Sequence, residues 1–176
     1  MKKAWIIVIS LAAALLLTLL LWYYRLGGFN DPVLSEAEEG PFYLAGVYYE
    51  GHVKDPSMSA LFDSCYAKVE RAELPGTLAS HFMNDPNASK GMIKAFIGVA
   101  FSDSLHPLPK GYQWHVFPKK SGLKASLEAH FMLAPVKIYP ALEELAAQKK
   151  KKLADESLEL YPSDKQVLVL CPYIEE

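Results

Sequence analysis

Phe42-Tyr43-Leu44-Ala45-Gly46-Val47-Tyr48-Tyr49, closed by Gly51, and the stretch after it decide the fold. The octet is apolar and aromatic, the composition of a strand whose side chains pack on a pleated surface. Asp55-Pro56-Ser57 then supplies a helix start, and Met58, Leu61, Phe62, Cys65 and Val69 recur at the spacing of one helical face. Thr77 to Met83 predicts a second strand, turned by Asn84-Asp85-Pro86-Asn87, and Gly91 to Phe101 a third. The unit reads strand, helix, strand, strand. Ser102 to Gly111, with Pro107, Pro109 and Gly111, connects it to the second half of the domain.

The same order recurs downstream. Trp114 to Phe117 predicts a short strand, Leu123 to Phe131 an alternating one, and Pro140 to Leu153 a helix with Leu142, Leu145 and Ala146 inward. Ser157 to Tyr161 and Val167 to Cys171 predict a closing hairpin around Pro162-Ser163-Asp164. A shift of about eighty positions lays Tyr43, Ala45 and Val47 on Leu123, Ala125 and Leu127, and Leu78-Ala79-Ser80-His81 on Leu158-Glu159-Leu160-Tyr161. The expectation is an α+β domain built as a duplicated β-α-β-β unit sharing one sheet.

Upstream of this domain the chain changes character. Ala4 to Tyr24 holds no charged side chain. At about 1.5 Å per residue such a run reaches roughly 31 Å, enough to cross a bilayer core. Trp5 at one end and Trp22, Tyr23 and Tyr24 at the other stand where interfacial aromatics belong. A cleaved signal peptide is the rival, but Trp22-Tyr23-Tyr24-Arg25-Leu26 offers no small-residue cleavage site. We therefore read 1–25 as a transmembrane anchor, 26–40 as a linker with an acidic cluster, and 41–176 as the folded domain. Lys2 and Lys3 precede the span while Arg25 follows it among acidic residues, so the positive-inside rule sends the domain out of the cytoplasm.

The chain has 176 residues, 51% hydrophobic and 22% charged, with 18 basic and 20 acidic side chains. Removing Lys2, Lys3 and Arg25 leaves 15 basic and 20 acidic residues, a balance with no electrostatic pull toward nucleic acid or an anionic membrane surface. His52, His81, His106, His115 and His130 show no metal-ligand spacing, and no phosphate-binding or serine-nucleophile motif occurs, so no metal and no cofactor is expected. Cys65 and Cys171 are expected as buried free thiols, able to pair only in an oxidising compartment. Asn87-Ala88-Ser89 is a glycosylation sequon if the domain is lumenal. Lys149 to Lys152 is expected as a solvated last helical turn.

Gly46-Val47-Tyr48-Tyr49-Glu50-Gly51-His52 before the helix bearing Leu61-Phe62-Asp63-Ser64-Cys65, then Trp114-His115-Val116-Phe117-Pro118, resembles the GyrI-like small-molecule-binding domain. Leu158-Glu159-Leu160-Tyr161 and Val169-Leu170-Cys171-Pro172 carry the same resemblance. Tyr139-Pro140-Ala141-Leu142 and both cysteines resemble the branch that contains testis-expressed protein 264, which also joins a membrane span to such a domain. The resemblance covers about residues 41–173. It implies a cleft near a pseudo-two-fold axis that takes drugs or other small molecules, with some members hydrolysing cyclopropane-containing toxins. That branch implies a cytosolic domain and an autophagy-receptor role carried by a C-terminal tail; the last predicted strand here lies close to the end of the sequence, so the receptor role is not expected.

Strand alternation puts Glu159 and Tyr161 on one face and Leu158 and Leu160 on the other. If the helices cover the leucine face, Glu159 and Tyr161 look into an uncovered cleft, where a carboxylate walled by aromatics would hold a cationic ligand or, desolvated, act as an acid. The resemblance implies such a role for the glutamate of an E-x-Y strand, which Glu159 matches. Tyr48, Trp114, Phe117 and His81 are candidates to line the same cleft, against the plainer reading that strand aromatics are core. No catalytic residue is assigned. The expected function is binding of a small aromatic or cationic molecule by a membrane-anchored domain. The alternatives are a hydrolase using Glu159 and an adaptor that binds a protein partner.

Overall fold

A computed structural model describes residues 2–85, 89–163 and 165–174. The sequon and the turns at Pro86-Asn87 and Asp164 fall partly or wholly outside the described residues. A helix α1 (Lys2–Arg25) precedes a sheet of strands β1 (Val33–Glu39), β2 (Phe42–His52), β3 (Thr77–Phe82), β4 (Met92–Phe101), β5 (Gln113–Phe117), β6 (Lys120–Leu127), β7 (Ser157–Ser163) and β8 (Gln166–Pro172). Helix α2 (Pro56–Glu70) follows β2, and α3 (Ala134–Gln148) follows β6. Asp55 caps α2 by accepting from the Ser57 N–H, with Pro56 in the first turn.

The eight strands form one antiparallel sheet in the order β1-β6-β8-β7-β3-β4-β2-β5. This order reads the same from either end once the halves are exchanged, so a pseudo-two-fold axis passes between β3 and β7. The shift of eighty is visible in the register. Leu78 faces Tyr161, and the shifted pair, Leu158 facing His81, is present in the same ladder.

Two expectations need correction. Residues 33–39, read as linker, form the edge strand β1. The Phe42–Phe117 pair of β2 and β5 becomes, after the shift, the Gly122–Ala37 pair of β6 and β1. β1 is therefore the counterpart of β5, placed before its own unit in the chain. Its acidic residues dock it: Glu36 on Lys149, Glu38 on Lys119 and Glu39 on Lys124.

Helix α3 also departs from its expected bounds. It starts at Ala134, not Pro140, which lies inside the helix while Pro135 occupies the first turn. Ala134, Ile138, Leu142 and Ala146 form its buried stripe. Proline is most at home at a helix start, which is why the sequence places the boundary there. The carbonyl Pro140 leaves without an intrahelical donor belongs to Val136, an exposed residue. The helix ends at Gln148, with Lys149 as its cap and Lys150 in the left-handed region at φ 56°. The lysine run thus lies at and beyond the helix end.

Both faces of the sheet are buried. α2 and α3 cover one, packing Met58 and Cys65 on Tyr49, Ile93 and Ile97, and Ile138 and Leu142 on Leu123, Ala125 and Val169. The other face closes on itself. Glu39 and Phe42 are joined through two residues, a span of at most ~11 Å, whereas β1 and β2 would stand ~29 Å apart in a flat sheet. Phe117 and Lys120 repeat the constraint between β5 and β6. The sheet must curl until its ends approach, and Leu44, Phe96, Phe117, Leu158 and Leu170 fill the concave side. Gly46 faces Gly98 in the middle of the two longest strands, where a Cβ would lie 2.1 Å and 2.3 Å from opposing carbonyl oxygens.

Candidate functional site

The pseudo-two-fold axis brings two polar side chains together on the helix-covered face. Ser80 on β3 and Glu159 on β7 are register partners, and both are buried. Tyr139 from α3 donates its hydroxyl to one carboxylate oxygen of Glu159, and Tyr161 donates to the other. The Tyr139 hydroxyl also lies 2.9 Å from Ser157 Oγ. From the other half, Phe62 of α2 sets its ring on Tyr161 at 5.9 Å and 81°, an edge contact. Residues of both units thus meet over the axis.

The electrostatics of this site are unusual. Burial pushes the Glu159 carboxyl above its ordinary range, and the two tyrosine hydroxyls pull it back. Burial and the neighbouring carboxylate hold Tyr139 and Tyr161 far above the ordinary phenol value, so both remain donors. Burial, then the same carboxylate, pushes the Cys171 thiol up to about 12. Among the described residues no basic side chain forms an ion pair with Glu159. Ser80 Oγ is buried with no hydrogen-bond partner among the described residues. A buried carboxylate without a cation is costly, and an orphaned hydroxyl beside it adds to that cost.

Of the six candidates, Glu159 and Tyr161 stand together. They lie under the helices, not on an uncovered face: α3 packs on the Glu159 side and the leucines fill the concave interior. Strand alternation separates two faces but does not say which one a helix covers, and the curl buries both. His81, Phe117 and Tyr48 belong to the concave side. His81 packs edge-on to Phe117, whereas Tyr48 is largely exposed and bonds Glu50 at 2.9 Å. Trp114 is on the helix side but joins a separate cluster with Leu74 and Phe101. Sequence reasoning missed Tyr139, Phe62 and Ser80 as site members; Ser80 was recoverable as the cross-strand neighbour of Glu159 once the eighty-residue shift was taken as a two-fold.

A second polar cluster lies on the concave side. His81 Nδ1 is 2.8 Å from His115 Nε2, His81 Nε2 is 3.0 Å from Glu156, and Lys120 pairs with the same carboxylate. Phe96 stacks on His115 at 4.7 Å. With His81 Nε2–H donating to Glu156, its Nδ1 accepts from His115 Nε2–H, the tautomer set the network requires. Burial lowers both imidazoles, with Glu156 opposing. The cysteines sit in different clusters, Cys65 near Tyr112 at 3.4 Å and Cys171 beneath α3, and both are free thiols. No group of three or more metal-ligating side chains occurs among the described residues.

No protein-family model and no curated protein matches the chain. Solved structures do. SAV2435 bound to tetraphenylphosphonium superposes with a TM-score of 0.58 at 11% identity, over 81% of this chain and 94% of its own. The C-terminal domain of EcmrR gives 0.54 at 12% identity, over 84% and 99%. The fold is the GyrI-like one. A hydrolase from Listeria innocua superposes on the same GyrI-like fold with a TM-score of 0.52 at 12% identity, over 82% of this chain and 92% of its own. Before the GyrI-like fold, α1 is long and apolar enough over Trp5–Arg25 to cross a membrane, and none of that stretch is buried against the rest of the chain.

Proposed function

We propose that the chain is a membrane-anchored binding protein that takes a small aromatic cation between α2 and α3, with Glu159 as the counter-charge. The observation that carries this reading is the buried Glu159 carboxylate, held by two phenol hydroxyls and, among the described residues, by no cation. A lipophilic cation would supply the missing charge, and Phe62, Tyr139 and Tyr161 offer ring faces to it. Phe62 and Tyr161 come from opposite halves, so a ligand held there would touch both units. The fold neighbour bound to tetraphenylphosphonium makes that cation the natural probe.

In this reading residues 1–25 anchor the protein and the flanking lysines place the domain outside the cytoplasm. The span joined to a GyrI-like fold supports affiliation with the branch containing testis-expressed protein 264. A second reading, a hydrolase with Glu159 as general acid, rests on the raised carboxyl, which keeps a proton to higher pH than a solvated glutamate.

The test is thermal unfolding of the full chain in detergent, with tetraphenylphosphonium and with neutral triphenylphosphine oxide, for the native protein and Glu159→Gln. At one hundred times its dissociation constant a ligand adds about 2.7 kcal/mol. Stabilisation by the cation alone, abolished in Glu159→Gln, is the expected result. Equal shifts in both proteins, or none in either, would overturn the charge-anchor reading.

A further inference from the structure

The chain between α1 and the sheet is not free to swivel. The His130 N–H donates to Leu26 O at 2.9 Å, and Lys137 Nζ donates to Gly28 O at 3.0 Å and also to Asn30 O. Asn30 Nδ2 donates to Glu128 O. Gly27, at φ +75°, approaches so closely that a Cβ would lie 2.4 Å from Glu128 O. The turn after α1 is thereby clamped to the segment joining β6 to α3.

That clamp places a set of apolar side chains at the foot of α1. Phe131 and Met132 follow the clamped His130 directly, and Val136 precedes the clamped Lys137. Their exposures are 52%, 71% and 73%. Phe29, itself exposed, reaches back to the last turn of α1, 5.1 Å from the ring of Tyr23. Exposed aromatic and aliphatic side chains gathered where a span leaves the bilayer match an interfacial surface more closely than an aqueous one.

We propose that Phe29, Phe131, Met132 and Val136 dip into the headgroup–acyl boundary of the bilayer that α1 crosses, seating the domain on the membrane in one fixed orientation. The proposal rests on α1 being a span. The occupant is the lipid surface because Phe29 packs on the aromatic end of α1 and the segment bearing the other three is tied to the turn after α1 by hydrogen bonds to backbone carbonyls. The patch carries little net charge, since Lys137 is paired with Asp31, and Arg25 and Glu128 line the same groove.

The experiment places single spin labels on the full chain in phosphatidylcholine vesicles. Met132→Cys and Val136→Cys report the patch, Leu15→Cys the middle of α1, and Leu105→Cys an exposed loop. The two native thiols are buried, and are replaced by alanine if they label. Depth is read from the ratio of oxygen to nickel-chelate accessibility. Expected are deep values at Leu15, boundary values at Met132 and Val136, and aqueous values at Leu105. The double variant Phe131→Glu/Met132→Glu should lift the Val136 label into water and leave Leu15 deep. Water-exposed patch labels with Leu15 deep would sink the inference and spare the span. An aqueous Leu15 would sink both. Patch labels shielded from both reagents, with spin–spin broadening, would overturn the lipid assignment in favour of a second copy of the chain.

Discussion

Ser80 and Glu159 face each other across the β3–β7 ladder, one from each half of the molecule, on the side the helices cover. Among the described residues, one is a buried hydroxyl without a partner and the other a buried carboxylate without a cation. The axis of the duplication therefore gathers polar groups that no cation among the described residues neutralises. That combination costs stability.

Glu159→Gln should be more stable than the native protein at neutral pH. The buried carboxyl titrates above its unfolded value, so the folded state binds more protons than the unfolded one between the two values. Its contribution is fully present below the unfolded value and is lost as pH rises through the folded one. Glutamine does not titrate, and its amide oxygen can still accept from a tyrosine. Urea unfolding from pH 4 to pH 7 should show the two proteins together in acid and diverging toward neutrality. A constant offset at every pH would show that the carboxyl is not coupled to folding.

Ser80→Ala and Ser157→Ala should behave differently although both hydroxyls are buried. Ser80 Oγ loses no hydrogen bond on removal, so stability should be unchanged or rise by up to about 1 kcal/mol. Ser157 bonds the Tyr139 hydroxyl, and its loss should cost about 1 kcal/mol. Thermal melts of the two variants decide it, and equal losses would place an unseen partner on Ser80.

Much of this was legible in the sequence because the duplication leaves the same periodic signals twice. The strands at 77–82 and 92–101 and the final hairpin were bounded by turn residues and apolar alternation. β1 was not legible, since Val33-Leu34-Ser35-Glu36-Ala37-Glu38-Glu39 has poor strand composition and owes its shape to the ladder with β6 and to three lysine pairs. The pairing of Glu159 with Tyr161 was legible from alternation alone. Tyr139 and Phe62 come from helices whose placement over the axis depends on packing, and the curl that hides the leucine face is set by two-residue connections whose sequence meaning appears only once strand order is known.

The His81–His115 pair should make the protein acid-sensitive. Burial depresses both imidazoles, so the unfolded chain binds protons more readily and stability falls as pH drops through 6.5, the ordinary imidazole value, toward the folded values. Glu156 faces His81 and raises it, Lys120 lowers it, and Phe96 and Phe117 add no charge. Ring-proton titration by NMR should place both midpoints below 6.5. Glu156→Gln should push His81 lower still, and a rise instead would refute the tautomer set in which His81 donates to Glu156.

Gly98→Ala should be far more damaging than Gly111→Ala. A Cβ on Gly98 would meet Ala45 O at 2.3 Å and Gly46 Cα at 2.7 Å, both backbone atoms that cannot rotate away. Gly111 has nothing within 4 Å, so its substitution costs only the left-handed backbone at φ +86°, about 1 kcal/mol. Overpacking at Gly98 should cost at least about 3 kcal/mol, because β2 and β4 must separate at their centre. The concave core of Leu44, Phe96 and Phe117 has no helix to cover it and depends on those strands staying curled. Loss of the cooperative melt in Gly98→Ala, beside a near-native melt in Gly111→Ala, is the expected result; a native-like Gly98→Ala would show that the curl does not need the close approach of the two glycines.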